Sequence, residues 1–92
     1  MFFFDYLPDL MFELSESPMR DCSDIQNSLG DVLECQKAAS ELGIMYDYEI
    51  SSDSFPKGCS SGYNSVYWNT HDTGAIRKNY FPICTKDNRF NN

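Results

Sequence analysis

The sequence predicts a small α+β domain: one main helix packed on a short antiparallel sheet, stapled by disulfides and preceded by an N-terminal aromatic arm. Three observations predict it. One well-capped segment of helical period is followed by several short alternating segments broken by Gly and Pro. Four cysteines stand far apart in a chain of 92 residues. The largest apolar side chains crowd ahead of residue 15. A chain this short forms one domain, at the size where a hydrophobic core alone leaves only a few kcal/mol of net stability, so a staple is expected.

The arm comes first. Phe2, Phe3, Phe4, Tyr6, Leu7, Leu10, Met11, Phe12 and Leu14 lie close together, and Ser15–Pro18 breaks the pattern. Pro8 suits the first turn of a short helix and Asp9 its positive end, which puts Phe3, Leu7, Leu10 or Met11, and Leu14 on one stripe. Residues 1–20 are therefore read as an aromatic, acidic docking arm and 21–92 as the stapled domain. A less regular turn or short helix covers Asp24–Leu29. The main helix spans 32–42, with Asp31 as N-cap, Glu34 three residues on, and Gly43 as the left-handed stop. Val32, Cys35, Ala39 and Leu42 line its inner face.

From Ile44 to Ile50, apolar and polar residues alternate, which predicts a half-buried strand with Ile44, Tyr46, Tyr48 and Ile50 inward. Ser51–Gly58 is a loop. Cys59–Tyr63 and Ser65–Asn69 form a tight hairpin about Gly62–Asn64, and Phe81–Thr85 returns as a last strand carrying Cys84.

The gaps between Cys22, Cys35, Cys59 and Cys84 are 12, 23 and 24 residues, with no C-x-x-C pair. Zinc-knuckle and thioredoxin spacings are absent, and the even count reads as two disulfides. Four cysteines allow three connectivities; the placement of the elements favours Cys35 with Cys59 and Cys22 with Cys84.

A net charge of −7 excludes the basic footprint that nucleic acid requires. The charge is uneven: residues 1–53 carry twelve acids and two bases (−10), residues 54–92 two acids and five bases (+3). That is either a solubilising half or a dipolar subunit set against a charged partner. The opening segment is too short and too acidic to span a bilayer, and it lacks the basic region of a signal peptide. The expectation is an oxidising compartment, reached by a leader that has been removed from this chain or as part of a longer precursor within which it starts. No N-x-Ser/Thr sequon occurs.

Catalytic frames are missing from the sequence. His71 is the single histidine, the thiols are explained as disulfides, and the carboxylates stand in no acid–base frame. The chain is expected to be no enzyme and to hold no metal and no cofactor. Tyr63, Tyr67, Trp68, Tyr80 and Phe81 fall on or beside the hairpin. Tyr67, Trp68 and Asn69 are the residues of a candidate carbohydrate platform, against the plainer reading that Trp68 and Val66 share a core face while Tyr67 takes the other.

The runs Cys35-Gln-Lys-Ala-Ala-Ser-Glu-Leu-Gly43, Phe55-Pro-Lys-Gly-Cys59, Val66-Tyr-Trp-Asn-Thr-His71 and Pro82-Ile-Cys84 follow the patterns C-x-x-A-A-x-x-L-G, P-x-G-C, V-Y-[FW]-N-x-[HN] and I-C. Over about residues 22–86 the chain thus resembles a cysteine-rich module common in predicted proteins of marine algae and other protists. The resemblance implies a secreted or surface setting and carries no catalytic role. A single module behind an aromatic arm favours a small non-catalytic accessory subunit. It would dock on a larger protein assembly through Phe2, Phe3, Phe4, Tyr6, Leu7, Leu10, Met11 and Phe12, reaching a membrane only through that partner. An algal, oxidised, sequon-free chain fits the thylakoid lumen and, more narrowly, a lumenal peripheral subunit of an algal photosystem–antenna supercomplex. The alternative is a secreted or cell-surface recognition module that binds carbohydrate.

Overall fold

A computed structural model of the chain describes residues 11–22 and 27–86. Six elements follow in chain order: β1 (Phe12–Leu14), α1 (Val32–Leu42), β2 (Met45–Ile50), β3 (Gly58–Gly62), β4 (Ser65–Asn69) and β5 (Phe81–Thr85). The strands make one sheet in the order β1-β5-β3-β4-β2, and α1 packs on one face of it. The α+β class is as expected.

The helix is delimited by its caps. The Asp31 carboxylate accepts the Glu34 N–H at 2.9 Å, and Gly43 takes a left-handed φ of 75°. Glu34 reaches back one residue further than a capping box requires, to the N–H of Gly30 at 2.7 Å. The buried stripe is Cys35, Ala38 and Ala39. With Phe12, Leu29, Cys59, Val66 and Ile83 it forms the core, and Leu42, Ile44, Tyr46 and Trp68 pack against its margin.

Both disulfides have the favoured pairing. Cys35 joins Cys59 across the helix–sheet interface and Cys22 joins Cys84, closing sequence separations of 24 and 62 residues. No cysteine is free.

Four expectations change. The sheet is mixed rather than antiparallel, because β4 inserts between β2 and β3 and runs parallel to β2. The loop of residues 51–57 carries the chain over the end of β4 to reach β3. The second change is in β2. Tyr46 pairs with Val66 and Tyr48 with Tyr67, so Asp47 is an extra residue at a bulge. The bulge resets the alternation: Tyr46 stays under α1, whereas Tyr48 turns to the other face and is 54% exposed.

Third, residues 12–14 are a strand, not the end of a helix. β1 pairs antiparallel with β5, Phe12 opposite Thr85 and Leu14 opposite Ile83. Ladder bonds and burial of Phe12 outweigh the weak local helical stripe. Fourth, the folded domain starts by residue 11 rather than 21, since the Met11 carbonyl accepts the Lys86 N–H at 3.0 Å. Ser28 bridges to Cys84 in extended form, and the first half of the turn expected over Asp24–Leu29 lies outside the described residues.

The hairpin is as expected. Tyr63 and Asn64 both have positive φ, 54° and 66°, the two-residue turn whose twist suits adjoining strands. Gly62 is required for a different reason: a Cβ there would fall 2.4 Å from the Tyr80 ring, which lies directly on the strand.

Candidate functional site

Two surfaces hold the residues with chemistry to offer. The first is at the end of β4, where one side chain organises three segments. Asn69 is 2% exposed, and its Oδ1 accepts the N–H groups of Ser52 and His71 at 3.0 and 3.1 Å. Its Nδ2 donates to the carbonyls of Ser52, Phe55 and Pro56 at 2.8, 3.1 and 2.9 Å. The Thr70 N–H bonds the Ile50 carbonyl at 2.9 Å, and the Lys57 N–H bonds that of Arg20 at 2.8 Å. Asn69 therefore substitutes for a missing strand partner and pins the crossing loop.

His71 orders the next turn. Its Nδ1 accepts the N–H groups of Thr73 and Gly74 at 3.2 and 3.0 Å. Asp21 closes the opposite wall, its carboxylate accepting from the Cys22 N–H at 2.7 Å and the Ser28 hydroxyl at 2.9 Å. Between these walls lies a cleft of about 400 Å³ lined by Trp68, Leu29, Ile83, Lys57, His71 and Asp72 among others.

The second surface is the sheet face opposite α1. Tyr48, Tyr67, Phe55, Tyr80 and Tyr63 form a connected cluster there. Tyr48 meets Tyr67 at 5.3 Å and 78°, Phe55 meets Tyr80 at 5.0 Å and 85°, and Tyr63 meets Tyr80 at 5.5 Å and 70°. The Arg77 guanidinium lies 4.5 Å over Phe55 and 5.5 Å from the Tyr80 ring centre. Burial pushes the Tyr67 phenol above its ordinary pKa, and Tyr80, Asp47 and Tyr48 add to that while a hydrogen bond with Ser65 opposes it. Burial, and then Glu49, raises Tyr46 as well.

The proposed carbohydrate platform is not assembled. Tyr67 and Trp68 are neighbours on a strand and face opposite sides of the sheet, and the Asn69 amide is consumed within the fold. The aromatic face is no substitute: its rings interlock edge to face, whereas a flat stacking platform needs them side by side. Trp68 keeps a place in the cleft, where Lys57, His71, Asp72 and Asp21 join it. Sequence reading missed that grouping because its segments lie far apart in the chain and are brought together by Asn69, the Lys57–Arg20 hydrogen bond, the Ser28–Cys84 bridge and the Cys22–Cys84 bond. The signal that could have found it was Asn69 itself, a strand-end amide beside a tight turn.

Of the expected docking residues, Phe2, Phe3, Phe4, Tyr6, Leu7 and Leu10 lie outside the described residues. Met11 is 47% exposed. Phe12 is corrected: it is 5% exposed and belongs to the domain's own core, so it is not offered to a partner.

Among the described residues no group of three or more His, Cys, Asp or Glu is placed to hold a metal ion, and no helix is long and apolar enough to cross a membrane. No protein-family model matches the chain, and comparison with curated proteins and with solved structures finds no significant match.

Proposed function

We propose that the chain is a non-catalytic accessory subunit that docks on a larger protein assembly through its N-terminal segment. One observation carries this reading: Phe12 already closes the core, while most of the large apolar side chains of the segment stand ahead of it in sequence. Phe12 is inside the core, Met11 just before it is half-exposed, and Phe2, Phe3, Phe4, Tyr6, Leu7 and Leu10 precede both. The core under α1 is already filled by Phe12, Val66, Ile83 and the Cys35–Cys59 bond. Six large apolar groups upstream of a filled core suit anchors for grooves on a partner, where aromatic side chains dominate contact energy.

The two disulfides are those of an oxidising compartment. Within that class, the resemblance to the algal module, the acidic charge and the lack of a sequon support the narrower reading of a lumenal peripheral subunit of an algal photosystem–antenna supercomplex. The residues that carry the resemblance have framework tasks here: Ala38 and Ala39 pack the helix, Gly43 ends it, Asn69 pins the crossing loop, and His71 orders the turn after it.

The deletion that tests docking must stop at residue 10, because removing residues 1–14 would also remove β1. The full chain is expected to co-sediment with purified algal photosystem–antenna particles, and the chain lacking residues 1–10 to stay in the supernatant with an unchanged melting temperature. Equal co-sedimentation of both forms, or of neither, would sink the proposal.

A further inference from the structure

The cleft beside Trp68 is lined by neither of the expected docking residues that are described, Met11 and Phe12, and its chemistry points elsewhere. Its volume of about 400 Å³ is that of a small-ligand site. The floor is apolar, made by the Trp68 indole with Leu29 and Ile83, and the rim is polar and of mixed sign. Because His71 Nδ1 accepts two backbone N–H groups, the neutral ring carries its proton on Nε2, and that N–H has no acceptor among the described residues. Lys57 supplies a second donor. On the acceptor side stand Asp72 and Asp21, the latter holding only one of its two oxygens in bonds to Cys22 and Ser28.

The ligand class follows from that balance. An anion would confront Asp21 and Asp72, and a cation would confront Lys57. A hydroxylated ring satisfies both kinds of group, since each hydroxyl donates and accepts, and its C–H face suits an indole. We infer that the cleft is a binding site for a neutral pyranose sugar. Trp68 lies against the ring, Asp21 and Asp72 accept from its hydroxyls, and His71 Nε2–H and Lys57 donate to them. The site is independent of the docking segment and stands or falls without it.

Trp68 is the only tryptophan in the chain, so its emission reports on this cleft alone. Methyl glucoside, methyl galactoside, methyl mannoside and N-acetylglucosamine are titrated in turn, with glycerol as the polyol that has no ring. At least one sugar is expected to change the emission saturably, with a midpoint in the millimolar range. Amide shifts in a ¹⁵N spectrum should then gather at Gly58, Thr70 and Asp72. Asp72→Asn, at an exposed position, should weaken binding about tenfold, and Tyr67→Phe on the opposite sheet face should leave it unchanged. A linear response to every sugar overturns the proposal. So does saturable binding whose shifts map to Tyr48 and Tyr63, and so does glucuronate binding more tightly than the methyl glucoside.

Discussion

The two faces of the sheet are closed by different means. Under α1 the layer is thin and small-grained: Cys35, Ala38 and Ala39 approach Val66 and Ile83, and a disulfide ties the helix to β3. On the other side no second helix is available among the described residues. There the loops around Phe55 and Arg77–Tyr80 bring rings down onto Tyr67 and Gly62, and edge-to-face contacts do the work of a missing layer. The first face depends on close backbone approach, the second on a few large side chains left partly in water. A domain with one helix can cover both sides of its sheet if its turns are aromatic enough.

That contrast can be broken or sharpened by experiment. The largest effect is expected from Cys35→Ala combined with Cys59→Ala, which should cost about 3 kcal/mol in chemical denaturation by the chain-entropy model; a cost close to that of a surface substitution would mean the helix face holds without its tie. Asn69→Ala comes next, at about 2–3 kcal/mol, because it strands buried N–H and C=O groups of the crossing loop. Amide exchange should show that loss concentrated at residues 51–57, and a uniform loss would contradict the pinning role. On the open face Tyr48→Ala should cost about 1 kcal/mol or less, since Tyr48 is half in water. If Tyr48→Ala proved as costly as Ile83→Ala, the distinction between the faces would collapse.

The same face should respond to alkali. Tyr67 has a raised pKa in the folded state, so its neutral form favours folding: the contribution is intact below the ordinary tyrosine value of 10.0 and is lost as pH rises through the higher folded value. The melting temperature of wild type should therefore fall above that pH, and Tyr67→Phe should flatten the decline. The smallest effect belongs to Ser60, whose buried hydroxyl has no partner among the described residues. Ser60→Ala is expected to be neutral or to stabilise by up to about 1 kcal/mol, and a clear loss in thermal melts would reveal a hidden bond.

What the sequence disclosed was mostly local. The helix could be delimited because Asp31 and Gly43 act within one turn of it, and the hairpin because Tyr63 and Asn64 bring its two strands directly together. The disulfide pairing followed once those elements were placed. The failures all involve partners distant in sequence. Nothing near Tyr46–Asp47–Tyr48 distinguishes a plain alternating strand from one bulged against β4. The parallel pairing of β2 depends on Asn69 holding a loop that ends two strands away. Phe12 shares the apolar pattern of the arm residues before it, although β5, more than sixty residues on, decides its place. The cleft was hidden for the same reason, its walls being separate segments.

The pairing of β1 with β5 has a mechanical consequence. Met11 and Lys86 are hydrogen-bonded neighbours, so these two points of the chain lie together at one corner of the sheet. Tension applied between those two points would load the β1–β5 ladder one bond at a time, as a zipper is opened, rather than shearing it as a whole. The domain would give way at that corner under modest force while its disulfides kept the remainder closed. Residues 11–86, grafted into a loop of another protein, would need almost no spacer.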